Sequence, residues 1–74
     1  MIKVYTTDSC PWCDKAKSYL KSKNISFEEV NVAEDMDGRE EMLKKSKQMG
    51  VPVLDINGTI IVGFDKPAID NAIK

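Results

Sequence analysis

Apolar and polar residues alternate from the first positions of the chain. In "IKVYTT" (2–7) the alternation has period two and the residues are good β-formers, which predicts a strand. "DSCPWCDKAKSYLKSKN" (8–24) changes period. Trp12, Ala16, Tyr19 and Leu20 recur at helical spacing, and Lys15, Lys17, Lys21 and Lys23 gather toward the end that a helix dipole makes negative. Pro11 suits the first helical turn, where its missing N–H costs nothing. Asp8 and Ser9 are the expected caps and Asn24 the expected stop. "ISFEEVNV" (25–32) predicts a second strand, with Ile25 and Phe27 out of step with Val30 and Val32. After the polar loop "AEDMD", with Asp37 as the expected N-cap, "GREEMLKKSKQM" (38–49) predicts a helix. Its apolar members are Met36, Met42, Leu43 and Met49, acidic residues lead and basic ones trail, and Gly50 is the expected end. "VPVLDI" (51–56) and "TIIV" (59–62) flank Asn57-Gly58, a strong hairpin signal of type I′. Pro67 opens a short last helix expected to bury Ala68, Ile69, Ala72 and Ile73.

The predicted order is β-α-β-α-β-β-α. A helix joins the first two strands, so they should run parallel with a right-handed crossover, and the last two should form an antiparallel hairpin. The compact solution is an α/β domain over residues 1–74, a mixed four-stranded sheet flanked by three helices. A chain of this size hides only about 60% of its unfolded surface, so the core is small.

Charge and composition narrow the partners. Eleven Lys and Arg against twelve Asp and Glu leave a net charge of −1, which gives no basic footprint for nucleic acid. The longest apolar run, around Ile60–Val62, falls far short of the roughly 20 residues that span a membrane. "MIKVYTTDS" lacks the pattern of a signal peptide, so a cytoplasmic protein, acting as a monomer, is expected. There is no histidine, which removes the usual neutral-pH acid–base group and the commonest metal ligand.

The chemistry that remains lies in "SCPWC" (9–13), which holds both cysteines of the chain, Cys10 and Cys13. Three readings compete. A stapling disulfide would close a very small loop, where a cross-link has least effect on the unfolded chain. A metal site would need two more ligands, supplied by a dimer or by outside thiols. A redox pair fits the position, because the first N–H groups of a helix are unpartnered and its N-terminus is partly positive. A thiolate there is favoured, so Cys10 is expected to be the ionised nucleophile and Cys13, one turn inside, the buried resolver. Trp12, between them, is ordinary core by spacing, but at a loop–helix corner it would present apolar surface to an incoming disulfide.

These stretches resemble the glutaredoxins of the thioredoxin-fold superfamily. "VYTTDSCPWC" is similar to the family's first strand and Cys-Pro-aromatic-Cys loop, and "GVPVLDINGTIIVGFD" to its Val-Pro, hairpin and Gly-containing turn. The resemblance implies a thioredoxin-like fold and a thiol–disulfide oxidoreductase. It further implies a cis Val51–Pro52 bond beside Cys10, with Val51 pairing its backbone to a bound thiol peptide. Pro11, Trp12, Val51, Pro52, Gly63, Phe64 and Asp65 are the implied substrate-binding residues, Asp65 also being a natural N-cap. No bound cofactor is implied: glutathione is the co-substrate, with a flavoprotein disulfide reductase and disulfide-containing proteins as partners. Departures are visible at Thr7, where glutathione-using members usually carry a cation, at Gly50 in place of the family's Thr, at Val62-Gly63 in place of Gly-Gly, and at Lys66 in place of a second acidic residue. They bring the chain toward short glutaredoxin-like electron donors, such as those of ribonucleotide reductase, that a thioredoxin-reductase-type flavoprotein recharges. A carrier of an iron–sulfur cluster completed by glutathione is the further alternative.

Overall fold

A computed structural model describes residues 2–48 and 50–73. Along it run β1 (Ile2–Thr6), α1 (Pro11–Ser22), β2 (Glu28–Asn31), α2 (Met36–Ser46), β3 (Val53–Ile56), β4 (Thr59–Val62) and α3 (Lys66–Ile73). The sheet order is β2-β1-β3-β4. β1 is parallel to β2, and β3 is antiparallel to both β1 and β4, with Val4 opposite Leu54 and Leu54 opposite Ile61.

Strand alternation divides the core in two. Val4, Leu54, Ile56 and Ile61 pack with Ala16 and Leu20 of α1 and Ile69 of α3. One residue along β1 and β3, Tyr5 and Val53 pack with Val32 and with Met42 of α2. Each face of the sheet is thereby covered by helix, as strands apolar on both faces require.

The α2 face carries a polar network at the rim of its core. Lys45 Nζ donates to Asp55 Oδ2 at 2.5 Å, to Glu41 Oε1 at 2.8 Å and to the Tyr5 hydroxyl at 3.0 Å. The Tyr5 hydroxyl and Lys3 Nζ also donate to Glu41 Oε1. Lys3 and Asp55 are cross-strand partners, so the network ties α2 to the register of β1 and β3. Hydrogen bonds from Lys45, then Tyr5 and Lys3, hold Glu41 down at about 2. Burial pushes Asp55 up, but bonds from Lys45 and the Gly58 N–H outweigh it and leave the carboxyl below its usual range.

Element boundaries depart from the pattern, each for a local reason. β1 ends at Thr6, and the cap of α1 is Cys10 itself, not Asp8 or Ser9. Asp8 instead accepts a hydrogen bond from the Asn31 side chain at 2.6 Å. Asn24 sits just past α1 in the left-handed region, and the Ile25 N–H returns to the Leu20 carbonyl. The following segment therefore joins the sheet only at Glu28, and Ile25 and Phe27 pack on the core from irregular chain.

Asp35, not Asp37, caps α2. Its N–H is anchored on the Asn31 carbonyl, and its Oδ1 accepts the Gly38 N–H at 2.9 Å. With the start moved back, Met36 falls in the first turn and is 67% exposed rather than core. α2 stops at Ser46, because Lys47 turns left-handed (φ 59°), so Gly50 does not end it. Met49 lies outside the described residues. Val51 and Pro52 precede β3 rather than belonging to it, and the bond between them is cis. Asn57 and Gly58 both have positive φ, as a type I′ turn demands. α3 starts as expected, with Ile69 fully buried and Ala68, Ala72 and Ile73 packed partly against it.

Two stability predictions follow from these contacts. A Cβ added at Gly38 would sit 2.3 Å from Val30 Cγ1, so α2 lies too close to β2 for any side chain there. Gly38→Ala should cost about 1–3 kcal/mol in urea unfolding, as overpacking does; an unchanged midpoint would refute the close approach. Glu41, lowered in the folded state, stabilises the fold above its unfolded value of about 4.3, and that contribution fades as pH falls toward 2. Lys45→Met removes the main cause of the lowering. Unfolding midpoints measured from pH 6 to pH 2 should fall more shallowly for the variant, and parallel curves would show the network to be inert.

Candidate active site

β1 delivers the chain to residues 7–9, and the helix begins at once. Cys10 occupies the N-cap with extended backbone (φ −113°, ψ 100°), and its Sγ accepts the Cys13 N–H at 3.1 Å. Its carbonyl accepts the Asp14 N–H. Sulfur thus takes the capping place usually filled by a Ser or Asp oxygen. Pro11 follows at the first helical position, exposed. Cys10 and Cys13 are joined as a disulfide, with Cα atoms 5.2 Å apart. Cys10 is half-buried and Cys13 wholly buried, an asymmetry produced by one turn of amphipathic helix whose inward members include Cys13, Ala16 and Leu20.

Trp12 points outward, 55% exposed. Its ring lies 6.3 Å from that of Phe64, with Lys15 Nζ 4.3 Å over its face. Phe64 in turn meets the edge of Tyr19 at 5.7 Å. Trp12, Val51, Pro52, Gly63 and Phe64 line one groove of about 290 Å³. Two of its lining residues are tied together by the Gly63 N–H donating to the Pro52 carbonyl at 2.8 Å, and Gly63 takes a left-handed φ of 84° to make the turn. Five of the seven substrate-binding residues expected from sequence therefore share one surface beside the cysteine helix. Pro11 and Asp65 are outside it. Asp65 caps α3, its Oδ1 accepting the Ala68 N–H at 3.2 Å. A larger hollow of about 440 Å³ runs along α1 past Lys15, Ser18, Tyr19 and Ser22. Neither hollow is lined by a cysteine, but the smaller one carries Trp12, the residue between the two thiols, and the cis Val51–Pro52 pair.

Two further residues enter that the sequence pattern did not single out. Arg39, the single arginine of the chain, lines a cavity of about 210 Å³ together with Thr7, Val32, Ala33 and Met42. A cation from α2 thereby stands against the position where the sequence has none. Gln48 brackets Gly50, donating to its carbonyl at 2.8 Å and accepting its N–H at 2.6 Å. For Arg39 a signal existed, the helical register of α2 relative to the end of β1, but it becomes readable only with the sheet topology. Gln48 carried none.

Among the described residues no helix is long and apolar enough to cross a membrane, and no cluster of three or more Cys, Asp or Glu could hold a metal ion.

Comparison with known proteins bears on this geometry. The family model "Glutaredoxin" matches residues 2–61. A glutaredoxin-like 8.6 kDa protein in a rubredoxin operon of Clostridium pasteurianum is 64% identical over 74 residues, covering 100% of this chain and 99% of that one. Glutaredoxin 3 of Escherichia coli K12 is 39% identical over 64 residues, 86% of this chain and 77% of that one. Among solved structures, the thioredoxin-like protein BC3987 superposes with a TM-score of 0.91 at 30% identity, covering 97% of this chain and 99% of the other. The chain therefore belongs to the glutaredoxin family, with the thioredoxin-like fold and the paired Cys10 and Cys13 of a thiol–disulfide oxidoreductase.

Proposed function

We propose that the protein reduces disulfides of peptides and proteins with Cys10 as nucleophile and Cys13 as resolver, and that glutathione returns it to the dithiol. The observation that carries this reading is the cap: the Cys10 sulfur accepts the Cys13 N–H at the positive end of α1, while Cys13 itself is wholly buried. In the reduced protein the same donor and dipole favour the Cys10 thiolate. That thiolate attacks one sulfur of a substrate R–S–S–R′. A Cys10–S–S–R bond forms, and R′S⁻ leaves and takes a proton from water. Cys13 then loses its proton and attacks the Cys10 sulfur, RS⁻ leaves, and the protein disulfide remains. One glutathione opens that disulfide as a mixed disulfide on Cys10. A second releases oxidised glutathione and restores both thiols.

The apolar groove supports binding of the substrate beside the sulfur. Trp12 and Phe64 offer its walls, and Val51 offers an N–H and a C=O for which no partner exists among the described residues. Arg39 beside Thr7 supports glutathione as the reductant, since it supplies a cation for a carboxylate where residue 7 has none. A second reading, recharging by a flavoprotein disulfide reductase, is favoured by Thr7 and Lys66. It also suits the relative named from a rubredoxin operon, a redox setting without mention of glutathione.

Cys10→Ser should abolish reduction of a small disulfide. Cys13→Ser should still attack and accumulate the mixed disulfide, visible by mass spectrometry. Activity surviving in Cys10→Ser would sink the assignment. With NADPH as electron source, glutathione and its reductase should sustain turnover. Arg39→Ala should raise the glutathione concentration needed for half-maximal rate about tenfold, the usual effect of losing a charge-assisted bond. Turnover supported by thioredoxin reductase alone would favour the second reading.

A further inference from the structure

The segment leading into the groove is held by a side chain and not by a strand. Gln48 Nε2 donates to the Gly50 carbonyl at 2.8 Å, and Gln48 Oε1 accepts the Gly50 N–H at 2.6 Å. The amide thus pairs with both backbone groups of one residue, as a neighbouring strand would. The amide is itself anchored. Ser46 Oγ shares its one proton between the Met42 carbonyl at 2.7 Å and the Gln48 carbonyl at 3.1 Å, and receives Gln48 Nε2 at 3.4 Å. The clamp therefore runs from the last turn of α2 to the residue before Val51.

Gly50 is what makes room for it. A Cβ at position 50 would stand 2.7 Å from Gln48 Oε1, inside contact distance, although the backbone there is not left-handed. Any larger residue would push the amide away. On the far side of Val51, the Pro52 carbonyl already accepts the Gly63 N–H, and Pro52 has no N–H to offer. The backbone groups on both sides of Val51 are occupied, and its own pair is open. Val51 lies in a bend and lines the groove, so the grip on Gly50 steadies the residue whose backbone pair is open.

We propose that Gln48 is a positioning residue for disulfide reduction: by clamping Gly50 it steadies the neighbouring open backbone pair, at Val51, against which the backbone of a peptide cysteine docks beside Cys10. The proposal rests on the reading of the groove as the substrate site.

The experiment is a single-turnover reaction of the reduced protein with excess disulfide, followed by Trp12 fluorescence, so that no reductant enters. Two probes are compared: a disulfide-linked dimer of blocked Ala-Cys-Ala peptides, which has amide groups around the sulfur, and bis(2-hydroxyethyl) disulfide, which has none. In both, the protein dithiol loses two electrons and the probe gains two thiols. Gln48→Ala should raise the half-saturating concentration of the peptide probe about fivefold, the order expected for a displaced hydrogen-bonded pair, with its limiting rate unchanged. The rate constant with the hydroxyethyl probe should stay the same. Gly50→Ala should reproduce the effect by displacing the amide, and the double variant should be no worse than either single one. Equal weakening toward both probes, or a double variant whose effect is the product of the two, would overturn the clamp and leave only a stability role. A wild-type protein that reduces neither probe would instead overturn the reading of the site.

Discussion

Both faces of the β2-β1-β3-β4 sheet must be covered, and the described chain has three helices with which to do it. That constraint governs most of the molecule. β1 and β3, the inner strands, carry apolar residues on both sides, with Val4 and Leu54 toward α1 and α3 and Tyr5 and Val53 toward α2. α2 covers its face alone. It does so through one fully buried apolar residue, Met42, through the close approach that Gly38 permits, and through the Lys45 network at the rim. Polar contacts of this kind fix register more than they add stability, because exposed ion pairs are individually weak. Here they join residues of α2, β1 and β3, and so locate the helix against the sheet.

Where α2 ends then matters to the site. The left-handed turn at Lys47 releases the chain early, and Ser46 and Gln48 use the freed length to brace the approach to Val51 and Pro52. The other wall of the groove comes from α1, whose first turn places Trp12 outward and Cys13 inward on opposite sides of one helix. Asp8, not needed as a cap, joins the loop before Cys10 to Asn31 at the end of β2. The reactive corner is thus held on one side by side-chain bonds and on the other by packing.

Much of this was legible in the residues. Period-two alternation located β1, the Asn57-Gly58 dipeptide located the hairpin of β3 and β4, and helical spacing located α1 and α3. The nature of the cysteine pair followed from its place at a helix start. What could not be read were choices between equivalent residues. Asp35 and Asp37 are equally good caps, and only the turn anchored on the Asn31 carbonyl selects the first. Cysteine is not among the usual capping residues, so Asp8 and Ser9 drew the assignment that belongs to Cys10. Arg39 meets Thr7 only through the fold, and Gln48 bonds Gly50 two residues on, in a local turn that no periodicity marks. The strand predicted from residue 25 was shortened by a backbone turn at Asn24 that apolar content does not reveal.

The groove is built from Trp12 near the start of the chain, Val51 and Pro52 beyond its middle, and Gly63 and Phe64 near its end. These stretches meet because β3 runs opposite to β1 and β4 opposite to β3, which returns all three to the same end of the strands. The thiols need only a helix start, a feature complete within a few consecutive residues. Their surroundings need every strand crossing to be in place. The capped cysteine pair is therefore encoded locally, while the groove beside it belongs to the finished topology, and a chain that frays at β4 would keep the first and lose the second.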